Sequence, residues 1–210
     1  MNKFAIFKKS DKFYWSINKI YYCVLFSIIG LSYIFGKFLN LGDFTSPWLA
    51  VIVMIAGIFL KLKGLIEIEP LRSTLEGDLI FEKESIVINN KPYSLDEINK
   101  IKISNDDYIG KLIHTSKGQI GPALSNGTNN SLILFLKSKE TVKISFELIN
   151  SNDFQKIKKT LIEYYLREKI DFEELKYILG EKSRSDIQEL HEEISKIRDH
   201  NKSLINNLTP

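Results

Sequence analysis

The stretch IYYCVLFSIIGLSYIFG, residues 20–36, contains no charged side chain, and neither does PWLAVIVMIAGIFL, residues 47–60. As a helix, the first run is roughly 25 Å long at ~1.5 Å per residue, a little short of a ~30 Å hydrocarbon core. Lys19 and Lys37 bracket it, and their ammonium groups can reach an interface along their own stems. Tyr21, Tyr22, Tyr33 and Phe35 lie near its ends, where amphipathic rings settle at a membrane boundary. Pro47 suits a first helical turn, Trp48 an interfacial anchor, and Lys61 and Lys63 extend the second run. Both runs are apolar all round, whereas a hairpin packed inside a globular domain is normally amphipathic. The expectation is a transmembrane helical hairpin over residues 20–66. It is not a cleaved leader, because Phe38, Leu39 and Asn40 stand where a small-x-small cleavage site belongs.

Lysines orient the hairpin. Residues 1–19 hold Lys3, Lys8, Lys9, Lys12 and Lys19 against Asp11, whereas the connection between the runs offers only Lys37 and Asp43. This distribution places the chain in the cell inner membrane with both termini cytoplasmic, residues 1–19 forming a basic N-terminus. The single cysteine, Cys23, lies inside the first run, so no disulfide framework exists.

The net charge of +3 is unevenly spread. Residues 1–60 carry six lysines and two acids, leaving 23 bases and 24 acids to the remainder. That near-neutral, well-mixed remainder lacks the concentrated basic stretch of a nucleic-acid binder, so a nucleic-acid polymer is excluded as partner.

From Leu75 to Phe146 the period changes to two. Leu79 and Phe81, then Ile86 and Ile88, alternate with polar neighbours, and Asn89-Asn90 makes a turn into Pro92 and Tyr93. Ile98, Ile101 and Ile103 follow. Leu132, Leu134 and Leu136 face Val142, Ile144 and Phe146 across a turn at Ser138-Lys139-Glu140. A helix over 153–167 comes next, with Phe154, Ile157, Leu161, Tyr164 and Tyr165 as its buried stripe and Asn152 as its cap.

The segments Gly77-Asp-Leu-Ile-Phe81, Ile86-Val-Ile-Asn89 and Tyr93-Ser-Leu-Asp-Glu-Ile98 resemble the bacterial pleckstrin-homology-like families over residues 75–168. The resemblance implies an antiparallel β-barrel or sandwich closed by a C-terminal helix, and a domain that binds lipid, peptide or a partner protein. Glu82, Lys83 and Glu84 occupy the first strand-to-strand loop, where eukaryotic relatives carry a basic phosphoinositide-binding cluster.

Between Ser104 and Ser131 the alternation breaks. Tyr108 to His114 suits a further strand, and glycine, proline and asparagine then dominate. A turn-rich excursion of this length is a flexible loop or a binding loop. The candidate ligand-binding residues are Lys111, His114, Lys117, Ser125 and Asn126, the basic ones facing an anionic group. The glycines lack the Gly-Lys-Ser/Thr ending of a phosphate-cradling loop.

The helical tail, 171–204, starts with a short helix ending at Gly180. In the next helix, Ile187, Leu190, Ile194 and Ile197 fall at heptad spacing, with Asn201 and Leu204 continuing the series. This stripe serves either self-association or packing on the chain's own domain.

No catalytic constellation emerges. His114, His191 and His200 are scattered, no Cys pair or His-x-x-x-His offers metal-ligand spacing, and the adjacent pairs Glu173-Glu174 and Glu192-Glu193 diverge on their helices. The expected class is therefore α+β with membrane helices: a transmembrane hairpin, a pleckstrin-homology-like β domain, then the tail. The expected role is a non-enzymatic, cofactor-free scaffold or immunity-type accessory protein, with the lipid bilayer, a partner protein or its own copies as partners. The alternative is an antiviral effector whose β domain senses a nucleotide signal and whose spans then disrupt the membrane.

Overall fold

A computed structural model describes residues 3–10, 12–38, 47–113 and 119–208. The chain divides into two compact units, one formed by residues 1–9, 72–109 and 127–210 and the other by 10–71 and 110–126.

The first unit is built on a seven-stranded antiparallel sheet. Its strands are β1 (Lys3–Lys8), β2 (Thr74–Phe81), β3 (Ser85–Ile88), β4 (Lys91–Ser94), β5 (Ile98–Ser104), β8 (Asn130–Leu136) and β9 (Thr141–Phe146). The order across the sheet is β4-β3-β2-β1-β9-β8-β5, so β1 is the central strand. Residues 1–19, read as a basic lead, therefore supply a core element. Phe4 and Ile6 point inward, and the lysines at either end point out. Phe4 stacks on Phe154 at 5.2 Å and meets the edges of Phe81 at 5.7 Å and Phe146 at 5.8 Å. One aromatic cluster thus ties together β1, β2, β9 and the 3-10 turn Asp153–Ile157.

The turns follow from their residues. Asn89 and Asn90 both take positive φ, 50° and 64°, which a two-residue hairpin connection requires. Lys139 does the same between β8 and β9. Asn152 makes no side-chain cap. Instead the Asp153 carboxylate accepts the Asn150 N–H at 2.9 Å.

Helices α3 (Lys158–Leu166), α4 (Phe172–Leu179) and α5 (Arg184–Leu208) complete the unit. Leu161, Ile162, Tyr164, Leu175 and Ile178 join the sheet's core. Asp171 caps α4 by accepting the Glu174 N–H, and Gly180 ends it at φ 71°. The outer edge of β5 is closed: the Ile101 N–H donates to the Lys169 carbonyl at 2.9 Å and the Ile103 N–H to Glu174 Oε1 at 3.2 Å. Such cover removes a free strand edge. On α5, Leu190 and Ile194 are buried in this same core and Ile197 packs against it. Lys158 Nζ lies 3.4 Å from Glu181 Oε1 and 3.0 Å from Glu193 Oε2, and Asn201 Nδ2 donates to Glu163. Leu190, Ile194 and Ile197 of the leucine–isoleucine stripe thus pack within the chain.

The second unit contains α1 (Ile17–Phe38), α2 (Pro47–Gly64), β6 (Ile109–Leu112, from Gly110) and β7 (Leu124–Asn126, to its end). Tyr21 holds the helices together. Its hydroxyl donates to the Val53 carbonyl at 3.1 Å, over Gly57, where an added Cβ would come within 2.5 Å of that hydroxyl. The chain after α2 is stitched to β7, the Leu124 N–H donating to Glu67 O and the Glu69 N–H to Leu124 O.

The transmembrane hairpin does not stand. Among the described residues no helix is long and apolar enough to cross a membrane. The uncharged part of α2 ends at Leu60, so it spans roughly 21 Å at ~1.5 Å per residue. Lys63, expected to extend it, pairs instead with Glu67 at 3.1 Å. At the start of α1, the Asn18 side chain accepts the Ile120 N–H, which fixes that turn to protein. The inner-membrane placement with both termini cytoplasmic, and the description of the chain as a membrane protein, fall with the hairpin. The structure is an α+β fold with a seven-stranded antiparallel sheet.

Candidate functional site

The middle segment does not form an open loop where it is described. Lys111 lies in β6 and Ser125 and Asn126 in β7, and these two strands pair with each other. Ser125 is buried, and all three residues have interaction partners. His114 and Lys117 lie outside the described residues, as do the side chains of Trp48 and Leu204. The structure thus gathers three of the five candidates on one ribbon without exposing Ser125.

The recess with a distinctive charge lies in the first unit, on the sheet. It begins with a bulge. Between the pairs Ala5–Asp78 and Phe7–Leu75, β1 contributes one residue, Ile6, and β2 contributes two, Glu76 and Gly77. Gly77 takes φ +84°, and the Asn89 side chain packs directly on it, so a Cβ there would collide with Asn89 Oδ1. A glycine in this conformation kinks the strand that carries it. On its other side β1 pairs with β9 only at Ile6–Phe146 and Phe7–Ser145. The ladder stops there, although β9 continues back to Thr141 and β1 runs on to Lys8.

The result is a groove of about 690 Å³, lined by Ile6, Phe7, Lys8, Lys9 and Gly77 with Lys143, Ile144 and Ser145, among others. Lys8, Lys9 and Lys143 are exposed. One acid, Glu76, answers them. Its Oε2 lies 4.0 Å from Lys8 Nζ, and Thr74 Oγ1 holds its other oxygen at 2.9 Å. The groove therefore carries a net charge of about +2, beside a strand edge whose ladder partner has parted from it.

A second recess, about 360 Å³, is lined by Lys3, Asp78, Glu147, Asp153 and Lys156. Four of its five charges form pairs, Lys3 with Asp78 at 2.9 Å and Lys156 with Asp153 at 2.6 Å, and Glu147 leaves the recess one negative charge in excess. Burial works against the Asp153 charge, but the bonds from Lys156 and Asn150 outweigh it and hold the carboxyl below its ordinary value. Burial pushes the Glu147 carboxyl up. Among the described residues no three His, Cys, Asp or Glu side chains are grouped to hold a metal ion.

The groove was invisible in the sequence because it is assembled from residues 6–9, 76–77, 89 and 143–145. The available signal was the Phe4-x-Ile6 alternation within a lysine-rich stretch, which would have placed Lys8 and Lys9 at a strand end. Comparison with protein-family models, curated proteins and solved structures finds no match to this chain.

Proposed function

We propose that the sheet-bearing unit is a pleckstrin-homology-like, non-catalytic binding module that holds an extended acidic segment of a partner protein in the lysine groove. The antiparallel strand order and the helix packed against the core support the resemblance seen in the sequence. The observation that carries the role is the groove itself: three exposed lysines against one carboxylate, where β1 parts from β9. An extended peptide can add main-chain bonds to such an edge while its carboxylates meet the lysines. The scaffold role then belongs to this groove.

The test uses fluorescein-labelled deca-glutamate, with anisotropy as readout. The full chain binds it at low salt, and affinity falls as salt rises. Lys143→Glu weakens binding at least tenfold, and Glu76→Lys tightens it. A single-stranded oligonucleotide of equal length is the control and binds more weakly. Salt-independent binding, or equal affinities for wild type and Lys143→Glu, overturns the proposal.

A further inference from the structure

Building on the acidic-segment role proposed for the lysine groove, we infer that the bound segment alternates acidic and apolar residues and pairs its main chain, antiparallel, with β9 at Lys143 and Thr141. Main-chain groups along a strand turn to its two neighbours in alternation. Just past β9, the Glu147 N–H donates to Ala5 O at 2.9 Å, and Ser145 pairs with Phe7. Odd-numbered residues of β9 therefore turn their N–H and C=O groups toward β1, and even-numbered ones turn theirs toward β8. Lys143 and Thr141 are next in the odd series. The β1–β9 ladder ends at Phe7–Ser145, so among the described residues no strand pairs with those groups on that side.

Side-chain burial along β9 marks the same parting. Phe146, where β1 lies alongside, is fully buried. Ile144 and Val142 share its face but are only partly covered, although Leu132 and Leu134 opposite them in β8 are fully buried. Lys143 and Thr141 alternate onto the other face and are exposed. Residues directly opposite one another on antiparallel strands share a face. A strand laid along this edge therefore sets every second residue beside Lys143 and the intervening ones over Ile144 and Val142. Carboxylates suit the first set, because Glu76 answers Lys8 at 4.0 Å whereas no acid is paired with Lys143 among the described residues. Apolar side chains suit the second set, since a carboxylate held over Ile144 loses water without gaining a partner. Antiparallel pairing continues the sense of β1 and is the more stable ladder per residue.

Fluorescein-labelled peptides and the full chain test this, with anisotropy as readout. One peptide carries six Glu-Val repeats. A second carries three Glu-Glu-Val-Val repeats, the same composition and charge in another order. The alternating peptide binds at least tenfold tighter than the doublet peptide. It also binds tighter than deca-glutamate, although it has fewer carboxylates. Methylating every glutamate main-chain nitrogen, the nitrogens that face Lys143 O and Thr141 O, removes the advantage. Methylating the valine nitrogens, which turn away from β9, keeps it. Equal affinities for the alternating and doublet peptides, or an advantage that survives glutamate methylation, overturn the inference. If deca-glutamate meanwhile binds in a salt-dependent way and Lys143→Glu weakens it, the acidic-segment role stands and only the alternating register falls. If no acidic peptide binds, both fall.

Discussion

Gly127 stands where the segment 110–126 rejoins the sheet, and its replacement by alanine should damage the fold more than any other glycine change in this unit. Two costs add. First, φ is +74°, a region that costs an L-residue ~1–2 kcal/mol. Second, a Cβ would come within 2.3 Å of Leu148 O and 2.8 Å of Ile109 N. Those two atoms are themselves bonded, the Ile109 N–H donating to Leu148 O at 3.0 Å. The methyl therefore drives into an existing backbone hydrogen bond. Neither side can retreat cheaply, because the Leu148 N–H and the Asn130 side-chain amide both donate to Gly127 O at 2.8 Å. Losing that bond and leaving a group unpaired adds ~1–3 kcal/mol. The sum is about 2–5 kcal/mol.

Gly180 supplies the internal control. Its φ is +71°, and no atom lies within 4 Å of the position its Cβ would take. Gly180→Ala thus registers backbone strain alone, about 1 kcal/mol. Urea unfolding of the full chain, followed by far-ultraviolet circular dichroism, compares the two. Tryptophan emission is the wrong probe, since Trp15 and Trp48 both belong to the other unit. Gly127→Ala should lower the midpoint by at least ~1 kcal/mol more than Gly180→Ala, at unchanged slope. If the two variants agree within ~0.5 kcal/mol, the collision argument is wrong.

Three further outcomes follow from the same packing. Tyr164, fully buried, donates its hydroxyl to the carbonyls of Glu82 and Ser85, and burial raises its pKa, so Tyr164→Phe should cost about 1–2 kcal/mol in urea unfolding. Lys158→Met leaves Glu181 and Glu193 facing each other without their cation and should cost about 1–2 kcal/mol, with part recovered by adding Glu181→Leu. Asp171→Ala removes the α4 cap and should cost about 1 kcal/mol at pH 7. The Glu174 N–H and then Lys100 hold the Asp171 carboxyl below its ordinary 3.8, so its contribution is full above that value and fades as pH falls through the folded one. Wild type and Asp171→Ala should therefore draw together in stability as pH falls below the ordinary carboxylate range, which unfolding curves across pH will show.

The strands that form local hairpins could be read from the sequence. Leu132 to Phe146 alternates cleanly on both sides of one turn, and Asn89-Asn90 tolerates the positive φ its connection needs. β1 could not, because its partners in β2 are Thr74 to Ile80, far along the chain, and only Phe4 and Ile6 mark its inward face amid lysines. The heptad of α5 was ambiguous for a physical reason: the same spacing serves a second helix or the chain's own core, and Leu190 and Ile194 chose the core. The hairpin was misjudged because the shortfall of both uncharged runs was assigned to flanking lysines reaching an interface, whereas Lys63 is engaged by Glu67, a pairing the apolar pattern does not register. The groove depends on where two strands separate, which no local pattern encodes.

That separation is linked to how the sheet accepts its insertions. Residues 9–73 intervene between β1 and β2, yet the two strands pair as neighbours. Loop-closure entropy grows only logarithmically, so 65 residues in place of five cost about 2 kcal/mol. Burying Phe4 and Ile6 contributes ~1.5–3 kcal/mol each and offsets this. The sheet is therefore indifferent to what the insertion contains, and an apolar helix pair can sit there at little cost to the core. Lys8 and Lys9 are the last residues before the chain leaves the sheet unit at Ser10. A ligand that neutralises them binds at the root of the first insertion. Occupancy of the groove and ordering of the residues leading into α1 are then coupled through covalent connection alone, and amide exchange at residues 8–17 should slow when deca-glutamate is bound.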